Sequence, residues 1–82
     1  MILVDIFVPA VDNTYNFSLN EDIPIEKIIG EITAMIAQKE QTKLTGDMEK
    51  LMLYDLNGKR PLPRENTLND CYITTGTDLM LV

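Results

Sequence analysis

The 82-residue chain carries seven Lys and Arg against thirteen Asp and Glu, a single cysteine, Cys71, and no histidine. That balance excludes an intrachain disulfide, a histidine-based catalytic or metal site, and the basic stripe with which nucleic-acid binders neutralise phosphates. No apolar run approaches the ~18–20 residues that span a bilayer, so direct membrane insertion is not expected either.

Residues 2–8 are apolar apart from Asp5, and all of these but Leu3 are β-branched or aromatic. Side chains alternate across a strand, so Ile2, Val4, Ile6 and Val8 are predicted to face a core while Leu3, Asp5 and Phe7 face away. Pro9 ends this strand, and Val11, Asp12 and Asn13 supply turn chemistry. Residues 14–19 alternate again, with Tyr15, Phe17 and Leu19 on one side and Thr14, Asn16 and Ser18 on the other, completing a hairpin. The period then changes. Ile25, Ile28, Ile29, Ile32, Met35 and Ile36 form the apolar stripe of a helix of about sixteen residues ending near Glu40. Pro24 suits its first turn, Glu21 and Asp22 sit where the helix dipole favours negative charge, and Gly30 is expected to let it lie close to a sheet.

Residues 41–50 are polar, punctuated by Gly46, and read as a loop. Residues 51–54 form the third predicted strand, and Asn57-Gly58 a tight turn through residues that accept positive φ. Residues 60–63, with Pro61 and Pro63, allow only a short edge strand. Residues 67–70 read as a helical turn or cap, residues 75–77 as a turn, and residues 78–82 as the last strand. The order strand, strand, helix, strand, short strand, strand is satisfied by a mixed sheet of about five strands with one helix across one face. This is an α+β, β-grasp architecture, expected as a single domain over residues 1–82.

The order of elements resembles that of the ubiquitin family over nearly the whole chain. The most specific local match is Thr67-Leu68-Asn69-Asp70-Cys71-Tyr72-Ile73 before Asp78-Leu79-Met80-Leu81-Val82. The resemblance implies that Asp70 hydrogen-bonds nearby backbone N–H groups while Leu68 and Ile73 close the end of the core. Within that superfamily the ~80-residue length, the strand from the second residue and the helix opening at Pro24-Ile25 are similar to the YukD/EsaB proteins of Gram-positive type VII secretion. Membership would imply a cytoplasmic accessory or regulatory protein that associates with secretion-machinery components. Ubiquitin and the sulfur carriers finish in a Gly-Gly tail. Here no glycine follows Gly76 and the chain runs to Val82 in the last strand, so conjugation or sulfur transfer through the C-terminus is not expected.

Cys71 lacks a neighbouring base and has Asp70 beside it, so it reads as a small core residue rather than a nucleophile, and one thiol cannot hold an iron–sulfur cluster. Asp12, Asp47, Glu49 and Asp55 lack the ligand spacing of a calcium loop, and Gly46 and Gly58 form no phosphate cradle. Lys27, Lys39, Lys43, Lys50 and Lys59 read as ordinary surface lysines. No cofactor and no enzymatic activity are therefore expected, and the absence of a signal peptide at Met1-Ile2-Leu3-Val4-Asp5 points to the cytoplasm. The outward parity is more informative. Leu3, Phe7, Met52, Tyr54, Met80 and Val82 are expected to form one continuous apolar surface on neighbouring strands, a candidate interface for a protein partner or a second copy. A carrier activated at its C-terminus and an obligately dimeric structural subunit are the alternatives.

Overall fold

The computed structural model describes residues 1–41 and 50–82. Its elements are β1 (Ile2–Val8), a 3-10 turn (Pro9–Val11), β2 (Asn13–Leu19), α1 (Ile25–Glu40), β3 (Leu53–Asp55), β4 (Arg60–Pro61) and β5 (Asp78–Leu81). They form one five-stranded sheet in the order β2-β1-β5-β3-β4. β1 and β5 run parallel and the other pairs antiparallel, giving the mixed sheet of the expected β-grasp arrangement.

The core lies between one sheet face and the helix. Val4, Ile6 and Val8 of β1, Leu53 of β3, and Leu79 and Leu81 of β5 pack with Ile25, Ile28, Ile29, Ile32 and Ile36 of α1. The predicted parity of these three strands is therefore the observed one. Ile2, Phe17 and Leu51 flank the core as partly buried members. Met35 does not belong to it. It is 41% exposed, and Thr33 is buried in the helix instead, its hydroxyl donating to the Gly30 carbonyl. The stripe narrows toward the helix C-terminus because Met35 lies at its edge, beyond the arc that reaches the sheet.

The two helix ends are closed mainly by backbone. Pro24 occupies the N-cap rather than the first turn and offers no side-chain acceptor. The Ile25 and Glu26 amides instead donate to the carbonyls of Asn66 and Arg64, satisfying donors that an isolated helix leaves open. At the other end Gln41 takes a left-handed conformation and its amide donates to the Ala37 carbonyl. The Tyr15 ring is buried while its hydroxyl donates to the exposed Glu40, and Lys39 Nζ lies 5.4 Å from the ring centroid. That hydrogen bond to Glu40, with some burial, raises the Tyr15 pKa above its ordinary 10.0.

Four strands and one turn differ from expectation, β2 beginning one residue earlier at Asn13 and β5 ending one residue earlier at Leu81. β3 is assigned from Leu53 rather than from residue 51, although Met52 still exchanges two backbone hydrogen bonds with Val82. β4 is reduced to Arg60–Pro61, since Pro63 has no N–H to extend it. The turn between them is not built on positive φ at Asn57 or Gly58. Lys59 takes that conformation, with φ 56°. The buried Asp55 carboxylate organises this turn, its Oδ1 accepting from the Asn57 and Gly58 amides at 3.0 Å each. The loop expected over residues 41–50, with Lys43, Gly46, Asp47 and Glu49, falls mostly on residues 42–49, which lie outside the described residues.

Candidate partner-binding face

Strand register decides which outward side chains meet. Across β2, β1, β5, β3 and β4 one row runs Thr14, Phe7, Met80, Tyr54, Pro61, each paired with the next. Its last four members are apolar or aromatic, so a hydrophobic band crosses the sheet face opposite the helix. Met52 and Val82 continue it by one step, held together by reciprocal backbone bonds of 2.7 and 3.0 Å. Phe7, Met52, Tyr54 and Met80 are half-buried by one another and their neighbours, and Val82 is exposed.

Leu3 stands apart. The adjacent row runs Asn16, Asp5, Asp78, which sets two carboxylates between Leu3 and the apolar band. Leu3 is 49% exposed, and its backbone is tied to the turn after Ile73. Its amide donates to Thr75 Oγ1, and its carbonyl accepts from Gly76 N. The structure thus brings together five of the six residues expected on this face and leaves the sixth beyond an acidic row. Two further apolar residues border the face, Pro61 and Leu56. Leu56 follows the outward parity of Met52 and Tyr54 one step past β3, which is the signal in the sequence that marks it.

Between the acidic row and the β3–β4 turn lies an open recess of about 260 Å³, lined by Asp5, Phe7, Thr14, Leu56, Asn57 and Asp78 among others. The turn is tied to it, because Asn57 Oδ1 accepts from the Asp78 amide at 2.7 Å. Behind the turn, Arg60 reaches the Asp55 carboxylate at 3.5 Å and donates to the Cys71 carbonyl, joining two loops across the end of the sheet.

The turn at residues 67–70 is closed reciprocally, with Thr67 N donating to Asp70 Oδ2 at 3.2 Å and Asp70 N to Thr67 Oγ1 at 3.0 Å. Leu68 and Ile73 are buried, as the family resemblance implied, and Cys71 is buried between them at 5% exposure. Among the described residues no group of three or more Cys, Asp or Glu is placed to hold a metal ion. No helix among them is long and apolar enough to cross a membrane.

Comparison with known proteins supports this architecture. One family model, described as WXG100 protein secretion system (Wss), protein YukD, matches residues 2–81. No curated protein matches the chain. Among solved structures, the EccD5 ubiquitin-like domain from Mycobacterium xenopi superposes with a TM-score of 0.76 at 18% identity, over 99% of this chain and 91% of that one. The N-terminal ubiquitin-like domain of the 4931431F19Rik protein gives 0.74 at 17% identity, over 99% and 72%. A ubiquitin-like domain from Arabidopsis thaliana gives 0.71 at 14%, over 99% and 74%. At these identities the likeness is one of fold, and the fold is ubiquitin-like.

Proposed function

The chain belongs to the YukD family of the WXG100 protein secretion system, and on that premise we propose that it serves a type VII secretion machinery as a docking module. It binds a protein component reversibly through the open face of its sheet, as a cytoplasmic accessory or regulatory subunit. The mode of action needs no catalytic residue and no cofactor. A reducing compartment suits a chain whose one thiol is free.

The observation that carries this reading is the band of Phe7, Met80, Tyr54 and Pro61 crossing the face opposite the helix. Folding buries the apolar side chains of that face only in part, whereas an interface completes the burial, worth up to ~1.5–3 kcal/mol for a side chain taken from full exposure. The outer side of β2, with Thr14, Asn16 and Ser18, shows what an ordinary solvent-facing strand looks like here. Methionine at Met52 and Met80 lets such a surface adapt to its partner.

The test is Met80→Glu. The variant is expected to keep the circular dichroism and melting temperature of the wild type, and to lose co-purification of a secretion-machinery component from the native host. Unfolding would mean that Met80 supports the core after all. A folded variant that still binds would move the interface elsewhere, with the helix surface around Glu26 and Glu31 the next to examine.

A further inference from the structure

Asp5 and Asp78 are register partners on the parallel β1–β5 pair, and both face the open side. Two carboxylates side by side on one sheet face favour a cation between them. Asn16 Nδ2 donates to Asp5 Oδ1 at 3.0 Å, while among the described residues no basic group forms an ion pair with either carboxylate. Of the described cations Lys59 alone belongs to the turn that borders the recess, and it forms no ion pair with either carboxylate. Lys27 and Lys39 are on α1, Lys50 precedes β3, Lys59 sits in the β3–β4 turn, Arg60 is engaged with Asp55, and Arg64 donates to the Leu51 carbonyl. The open recess beside these carboxylates also has apolar walls in Phe7 and Leu56. Two carboxylates and apolar groups lining one recess match a side chain with a hydrophobic stem and a cationic head.

Resting on the docking reading above, we propose that this recess receives an arginine side chain of the partner protein whose apolar residues cover the Phe7–Met80–Tyr54 band. A planar guanidinium offers several N–H donors in one plane, enough to engage both carboxylates, and it packs flat on an aromatic ring such as Phe7. Lysine presents a single compact charge and meets that geometry less well. A second copy of this chain is a poor occupant. The chain carries a net charge of −6, and no basic residue stands at an outward position of β1, β2, β3 or β5. Pairing two such faces brings no cation of these strands to Asp5 and Asp78.

The experiment is an NMR titration of the ¹⁵N-labelled protein with N-acetyl-L-arginine amide, using the neutral isostere N-acetyl-L-citrulline amide as control. Saturable shifts are expected at the amides of Asp5, Phe7, Thr14, Asn57 and Asp78 with the arginine derivative alone. Asp5→Asn or Asp78→Asn should each weaken binding about two- to fivefold, the scale of an exposed charge pair, and the double variant about four- to twenty-fivefold. The spectra themselves report that these isosteric variants remain folded. Absence of saturation, equal shifts with the citrulline derivative, or shifts unaffected by the double variant would each overturn the proposal. A partner-capture arm separates its failure from that of the docking reading. If Met80→Glu loses the native partner while Asp5→Asn/Asp78→Asn retains it at full strength, the arginine recess is wrong and the docking face stands. If Met80→Glu retains the partner, the face itself is wrong. Concentration-dependent dimerisation that Met80→Glu abolishes would assign the face to a second copy and also overturn the arginine.

Discussion

Two positions show how single residues set local geometry in this protein. Gly58 sits in the β3–β4 turn without a positive φ, so conformational freedom is not what the position requires. A Cβ there would stand 2.6 Å from Asp55 Oδ2 and 3.3 Å from Asp55 Cγ. Asp55 cannot swing away cheaply, because it is buried and accepts from two turn amides. Gly58→Ala is expected to lower stability by about 1–3 kcal/mol, the cost of displacing a buried acceptor from its donors, as measured by chemical denaturation. Cys71 gives the second case. Its thiol is buried beside Leu68 and Ile73, so it should react slowly with a thiol reagent in the native state and quickly in denaturant. Cys71→Ser should cost ~1–3 kcal/mol for a poorly satisfied buried hydroxyl and leave partner binding intact. Fast native labelling would remove Cys71 from the core.

At the scale of elements, the helix depends on neighbours at both ends. Its first amides are held by the Arg64 and Asn66 carbonyls, and its last turn is joined to β2 by Tyr15 and Glu40. The second link is pH-dependent, with a sign that follows from the raised Tyr15 pKa. A phenol whose folded-state pKa lies above 10.0 favours the folded chain while it remains protonated. Its contribution is complete below pH 10.0 and is lost as the pH climbs through the raised value. The stability difference between wild type and Tyr15→Phe should therefore be constant through neutral and mildly alkaline solution and shrink above that range. Urea denaturation of both proteins across pH is the measurement. A difference that persists unchanged at the highest pH would show that the hydroxyl contributes nothing through Glu40.

For the molecule as a whole, register governs which exposed apolar groups act together. Phe7 lies in the band with Met80 and Tyr54, whereas Leu3 lies four residues back along β1, past the Asp5–Asp78 row. The two residues share a strand and a parity but not a neighbourhood. Leu3→Ser should therefore leave partner affinity within about twofold of the wild type, whereas Phe7→Ser should weaken it at least tenfold. These are the expectations for a rim residue and for a central anchor. Isothermal titration with the co-purified partner distinguishes them. Equal losses would mean that the partner spans the acidic row and covers both.

Local pattern was enough for the architecture. Period-two alternation in residues 2–8 and 14–19 and the isoleucine spacing of α1 set which side of each element is buried, because burial pays off only when every apolar residue of an element shares one face. The Thr67–Asp70 turn was legible for the same reason, its bonds joining residues three apart. What required the tertiary structure is whatever depends on distant segments meeting. The pairing of β1 with β5, across more than seventy residues of chain, places Asp5 beside Asp78 and divides Leu3 from the apolar band. The loop carbonyls that cap α1, the Asp55 carboxylate that excludes a side chain at Gly58, and the exposure of Met35 arise in the same way. Side-chain periodicity states which face a residue is on; only the register between strands states which residues it stands next to, since one slip of pairing changes every neighbour.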